Sequence, residues 1–214
     1  MKTLAILISG QGTHLANLER ACRSQQLPAR IGLVLSNRPQ APGVALAQKL
    51  GLPVQTLAHT DFDSREAFDD RVAELIEASA ADLVVLAGFM RILSDRFVKR
   101  FEGRLVNIHP SLLPAFAGLD THARALEAGV RVHGATVHLV TPTLDHGPIL
   151  AQAAVPVHAE DDVESLRARV LSAEHRIYPP AVRWLLEDRV RVIDGRVRVN
   201  GIDDAERLLM ETAR

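Results

Sequence analysis

Apolar residues fall into short runs at regular intervals along the chain. The runs are 3–9 ("TLAILIS"), 31–37 ("IGLVLSN"), 52–57 ("LPVQTL"), 82–88 ("DLVVLAG") and 104–109 ("RLVNIH"). The first, second and fourth are nearly continuous in apolar residues, the pattern of strands covered on both faces. Between them, over about 13–26, 43–50, 65–80 and 94–101, apolar residues recur at helical spacing. Strand and helix in alternation predict a parallel sheet with right-handed crossovers. Beyond residue 130 the rhythm changes. Residues 132–141 and 148–157 are longer runs, joined by "PTLDHG", and either pair antiparallel or extend the sheet. A helical stretch over about 162–187 carries Leu166, Val170, Ile177 and Leu185 on or near one face. Residues 190–201 alternate Val or Ile with polar residues around Asp194-Gly195, a hairpin signal. The tail "DDAERLLMETAR" reads as a short helix. The pattern as a whole predicts one α/β domain: a mostly parallel central sheet with helices on both faces, then a long C-terminal helix and a β-hairpin.

Composition narrows the function classes. The 214 residues suit one large domain. A net charge of −1 argues against a nucleic-acid surface as the main theme, and no apolar run approaches the ~20 residues of a membrane span. The lone Cys22 lies in a helical pattern, where it reads as a packed thiol; it allows no internal disulfide and suggests a reducing compartment. The opening apolar run breaks into Ser9-Gly10-Gln11-Gly12, as a first strand would and a secretory leader would not. A cytoplasmic location is expected.

Three places carry candidate chemistry. "LISGQGTHL" (7–15) leaves a strand and opens a helix. Gly10 and Gly12 would let the backbone turn and leave amides free at the helix N-terminus, a natural phosphate site, with Thr13 as the cap; a plain strand-to-helix turn explains the same residues. No Gly-Lys-Ser/Thr follows, and the second strand ends in Ser36-Asn37-Arg38 without a ribose-holding acid, which disfavours a nucleoside triphosphate or a nicotinamide dinucleotide. "LVNIHPSLLP" (105–114) places Asn107 and His109 two residues apart at the end of the fifth strand, so both side chains can share a face where open α/β sheets bind ligands. An amide can hold a developing oxyanion and an imidazole can move protons; a hydrogen-bonded core histidine beside a turn-forming asparagine is the alternative. Asp145, in the loop "TPTLDHGPI", would favour the imidazolium of His109 if the loop folds back, although an Asp near Gly is also an ordinary turn residue. The other histidines suggest no metal. His133 and His138 are five apart on a strand and so on opposite faces, and no zinc-binding spacing occurs.

"LVNIHPSLLP", followed by "GLDTH", "HGATVHLV" and "LDHGPI", closely resembles the folate-dependent formyltransferases. "SGQGTHL", "AGFMRIL" and "EHRIYP" resemble the branch acting on glycinamide ribonucleotide, over about residues 1–190. The resemblance implies a formyltransferase-like fold with Rossmann-like topology. Residues 1–100 would form a half that binds the phosphoribosyl substrate, 101–190 a catalytic and folate-binding half, and 190–214 a hairpin and tail. It implies direct attack of the ribonucleotide amine on the formyl carbon of 10-formyltetrahydrofolate through a tetrahedral intermediate, without a metal. Asn107 would stabilise the oxyanion, His109 would donate the proton, and Asp145 would tune and orient His109. Gly12, Thr13 and His14 would meet the substrate phosphate, and Glu174 the ribonucleotide, with Leu171, Ser172 and Ala173 beside it. Met90, Arg91, Ile92 and Leu93 would line the pterin pocket with Thr141, Pro142, Thr143, Leu144 and Asp145, and Arg65 would reach the folate. The partners implied are small molecules, in a monomer or homodimer that binds neither nucleic acid nor membrane. Three positions depart from the family pattern: Thr13-His14 where Ser-Asn is usual, His146 after the aspartate, and Asp120 where a histidine is common. A 10-formyltetrahydrofolate hydrolase, a formyltransferase acting on methionyl-tRNA or a sugar amine, and a non-catalytic binding module are the competing readings. The transfer enzymes for larger acceptors carry an additional C-terminal domain, and the hydrolases an N-terminal regulatory one.

Overall fold

The computed structural model describes residues 1–210. The five predicted strands form at β1 (Lys2–Ile8), β2 (Ala29–Ser36), β3 (Val54–Thr56), β4 (Leu83–Leu86) and β5 (Leu105–His109), all parallel, in the spatial order β3-β2-β1-β4-β5. The direction then reverses. β6 (Val132–Leu139) pairs antiparallel with β5, and β7 (Ile149–Pro156) antiparallel with β6. The two alternatives for this region are both realised, because the antiparallel pair also extends the sheet. β8 (Val190–Ile193) and β9 (Arg196–Val199) form the separate hairpin, turning through Asp194 (φ 49°) and Gly195 (φ 73°), the left-handed pair of a tight I′-type turn.

Helices α1 (Thr13–Arg23), α2 (Pro42–Lys49), α3 (Arg65–Ala78), α4 (Asp95–Arg100), α5 (Thr121–Glu127) and α6 (Val163–Leu186) cover the sheet. The alternation along β1 divides the core. Leu4, Ile6 and Ile8 pack with Leu15 and Leu18 of α1 and with Leu166, Val170 and Tyr178 of α6, while Ala5 and Leu7 pack with Phe68, Val72 and Ile76 of α3 and with Phe97 and Phe101 of α4. One strand thus feeds two apolar layers, which is why it is apolar without a break from Leu4 to Ile8. Burial, with Glu19 adding to it, pushes the Cys22 thiol up to about 11, so it is a packed group and not a nucleophile.

Two elements differ from the sequence pattern. The seven-residue α5 is too short to declare itself by periodicity. The tail is no helix beyond a 3-10 turn at Asp204–Arg207. It ends in β10 (Leu208–Met210), a parallel edge strand on β7, and residues 211–214 lie outside the described residues. Arg207 holds this edge by donating to the carbonyls of Ile149, Leu150 and Val197, each at 2.9 Å.

α6 begins with a capping box, in which Asp162 and Ser165 exchange side-chain and backbone hydrogen bonds. Beside it the Arg169 guanidinium grips Asp161 at 2.6 and 2.8 Å and donates to the Pro156 carbonyl at 2.9 Å, tying the start of α6 to the end of β7. Hydrogen bonds from Arg169 hold the Asp161 carboxyl well below the usual carboxylate range. A depressed folded-state pKa stabilises above the unfolded value of about 3.9 and ceases to do so as pH falls through the folded one. Asp161→Asn is therefore expected to lower the melting temperature by about 2–4 °C at pH 7. In thermal scans the gap from the parent protein should shrink steadily below about pH 4.

Candidate active site at the end of strand β5

A cavity of about 710 Å³ opens where β5 leaves the sheet, and Asn107 and His109 lie in its wall. The imidazole of His109 stands between two acceptors: Nδ1 is 3.5 Å from Asp145 Oδ2, and Nε2 is 3.1 Å from the Phe116 carbonyl oxygen. The side chains of His109 and Asp145 are 8% and 7% exposed, so little water competes for the contact. Asp145 sits at φ 51°, a left-handed conformation that Asp tolerates better than most residues. Its Oδ2 also accepts from the Gly118 amide at 2.9 Å, so one carboxylate joins His109 to the 116–120 loop.

Antiparallel pairing sets Asn107 directly opposite His138. The amide Nδ2 of Asn107 is 3.3 Å from His138 Nε2, and His138 Nδ1 is 3.0 Å from the Leu139 carbonyl. A carbonyl can only accept, so the proton of a neutral His138 belongs on Nδ1, which leaves Nε2 to accept one N–H of Asn107. The amide is thereby oriented, and its second N–H is uncommitted among the described residues. Burial, with His109 adding to it, lowers the His138 pKa against the Leu139 carbonyl and Asp145, which favour the charged form. His138 Nε2 also lies 4.0 Å from Asp145 Oδ1, which closes a chain of four polar side chains. The sequence reading found three of the four. It set His138 aside with His133, which packs elsewhere, 5.6 Å from the rings of both Phe116 and His122. The signal available was a histidine between Val137 and Leu139 in the run "TVHLV", one strand across from Asn107.

Loop 141–148 must fold tightly to deliver Asp145. A Cβ on Gly147 would stand 1.7 Å from the Leu139 carbonyl oxygen. Gly147→Ala is expected to push this loop off β6 and cut turnover at least tenfold, because misplacing a catalytic group by about 1 Å can cost 10²-fold. Steady-state rates compared with the melting temperature test this, and turnover within twofold of the parent would contradict it.

Met90, Arg91, Ile92 and Leu93 line the cavity, as do Thr141, Pro142, Leu144 and Asp145. Thr143, in the same loop, is not among the lining residues, although its carbonyl accepts from Thr141 Oγ1 at 3.2 Å. Arg65 does not line the cavity either. It is the first residue of α3 and pairs with Glu66 at 3.3 Å.

A second cluster forms at the start of α1. Gly12 has φ 78°, and a Cβ there would meet Gly43 Cα at 2.9 Å. The Gly43 amide donates to the Gly10 carbonyl at 2.9 Å, which fixes the glycine loop against α2. Thr13 was expected to cap α1 and does not. Gly12 occupies the N-cap, and the exposed Thr13 is the first helical residue, making no capping bond, so the early amides are left open. His14 lies one residue further on, its Nε2 3.4 Å from Glu174 Oε2 on α6. Next to Glu174, Leu171 is half-buried and Ser172 exposed, whereas Ala173 is fully buried in the core and its methyl offers a ligand nothing. His122 connects the two regions: it lines the cavity, and Glu174 partly offsets the burial that lowers its pKa.

Residues 2–182 match the family model described as formyl transferase. The chain belongs to that family. It is 43% identical over 201 residues to a phosphoribosylglycinamide formyltransferase of Haemophilus influenzae, covering 94% of this chain and 95% of that protein. The crystal structure of glycinamide ribonucleotide transformylase 1 from Symbiobacterium toebii superimposes with a TM-score of 0.91 at 46% identity, covering 93% of this chain and 94% of that one. A formyltetrahydrofolate deformylase from Pseudomonas syringae superimposes with a TM-score of 0.86 at 31% identity, covering 92% of this chain and 65% of that one.

Proposed function

We propose that this formyltransferase moves a formyl group from 10-formyltetrahydrofolate to the amine of glycinamide ribonucleotide, yielding formylglycinamide ribonucleotide and tetrahydrofolate in cytoplasmic purine synthesis. The observation that carries this reading is the convergence of Asn107, His109 and Asp145, from a strand end and a distant loop, on one cavity wall.

The cavity suits a reduced folate. Its volume lies in the range of small-molecule sites, about 300–1,000 Å³. Met90, Ile92, Leu119 and Leu144 are all more than half exposed around it, an apolar rim for a flat ring system. The folate supplies the formyl group. The free N–H of Asn107 is placed to meet an oxygen that gains negative charge when an amine attacks the formyl carbon. His109 holds the mobile proton on Nε2, because Nδ1 is committed to Asp145, and that proton rests on the Phe116 carbonyl until a more basic atom replaces it. Asp145 keeps the ring oriented while the proton is given up. The glycine loop with His14 and Glu174 offers the ribonucleotide open amides and a carboxylate for its hydroxyls.

The test is tetrahydrofolate formation from a 10-formyl folate, followed spectroscopically with and without glycinamide ribonucleotide. Release only with the ribonucleotide supports transfer. Release at equal rates in both would replace it with hydrolysis, and no release from folded protein would leave a binding module.

A further inference from the structure

The proposed reaction does not use the side chain of His14. That side chain is 10% exposed at the second residue of α1, and Glu174, against which it lies, is 7% exposed on α6. A carboxylate that deep needs a polar neighbour, and among the described residues the nearest basic one is His14, whose Nε2 stands 3.4 Å from Oε2. His14 Nδ1 is buried without a hydrogen-bond partner, so a single ring proton belongs on Nε2, facing the carboxylate. The ring is wedged edge-on between His175 (5.2 Å) and Tyr178 (5.8 Å). Tyr178 is itself anchored, its hydroxyl donating to the Leu86 carbonyl at 2.7 Å. His14 therefore has little freedom to turn, and the carboxylate it holds takes its position from it.

We propose that His14 is a positioning residue: through Nε2 it holds the Glu174 carboxylate beside the glycine loop, oriented to accept hydrogen bonds from the sugar hydroxyls of the ribonucleotide. This rests on the functional reading above. It gives the imidazole a task distinct from that of the loop amides, which any residue at this position would present. The consequence is selective. Removing the imidazole frees a carboxylate in the acceptor's site and leaves the folate cavity, which neither residue lines, as it was.

The test uses the full chain with His14→Ala, His14→Gln, Glu174→Gln and the double substitution His14→Ala/Glu174→Gln, each checked for folding by its melting curve. His14→Ala should raise the KM for glycinamide ribonucleotide on the order of tenfold, with kcat and the folate KM within about twofold of the parent. His14→Gln, whose amide can still donate to the carboxylate, should recover most of that loss. The double variant should be no worse than Glu174→Gln alone, because the two residues act as one. A His14→Ala variant that raises both KM values alike, or a double variant whose losses simply add, would overturn the proposal and leave His14 a packing residue. Should the parent not formylate the ribonucleotide, the functional reading fails by itself. Calorimetric titration with ribose 5-phosphate then decides about His14, where weaker binding by His14→Ala supports the proposal and equal binding rejects it.

Discussion

His109→Asn is expected to lower kcat by about 10³-fold, roughly 4 kcal/mol of barrier, and to leave the melting temperature nearly unchanged. The imidazole meets an acceptor at each nitrogen, Asp145 Oδ2 on one side and the Phe116 carbonyl on the other. An asparagine amide is shorter than the ring and cannot span both, and it has no proton to release near neutral pH. His109 lies in the cavity wall, and the substitution leaves the apolar residues of both layers in place. Steady-state rates at saturating folate and ribonucleotide measure the effect, and turnover above about a tenth of the parent's would remove His109 from the proton path.

Asp145→Asn is expected to cost about 10²-fold in kcat. The replacement keeps one oxygen, which can still accept from the Gly118 amide, so the loop should stay in place. What it loses is the negative charge 3.5 Å from His109 Nδ1. Oδ2 meets both the Gly118 amide and Nδ1, so an oxygen in its place keeps both contacts. An NH₂ group in its place leaves the Gly118 amide without its acceptor, and the ring must turn its lone pair to Nδ1. In either arrangement His109 no longer faces a carboxylate in a poorly hydrated site, where charge counts for most. The expected signature is a fall in kcat with little change in either KM. Near-normal kcat would show that His109 needs no carboxylate.

The elements that form the sheet were legible because their apolar content is a direct consequence of burial. β1, β2 and β4 are covered on both faces, and the long α6 repeats its apolar stripe over 24 residues. What was not legible depends on partners distant in sequence. β10 is three residues long and becomes a strand only because the chain returns to the open edge of β7, some 55 positions earlier in register: Leu208 pairs with Gln152. By itself "AERLLM" has good helix propensity, and the tertiary pairing overrides it. The Asn107–His109 spacing announced a shared face, but the contact of His109 with Asp145 depends on how the 141–148 loop folds, which spacing does not encode. His138 was missed because its role comes from the cross-strand register with Asn107 rather than from its own strand. His14 was read through the backbone amides of its loop, and its side-chain partner Glu174, 160 positions later, lay beyond any local signal.

The position of β1 bears on how the chain folds as it is made. Among the strands of the sheet it is the first in the chain, yet it lies in the interior, between β2 and β4, with Leu4 to Leu7 in register with Leu83 to Leu86. At about 5–20 residues per second, the strand that closes its second edge leaves the ribosome some 4–16 s later. Until β2 emerges both edges of this strand are open, and from then until β4 emerges one is, on a strand apolar from Leu4 to Ile8, the configuration most open to pairing with the wrong chain. The nascent protein must therefore rely on whatever shields that edge, whether ribosome or chaperone, until residue 86 has emerged.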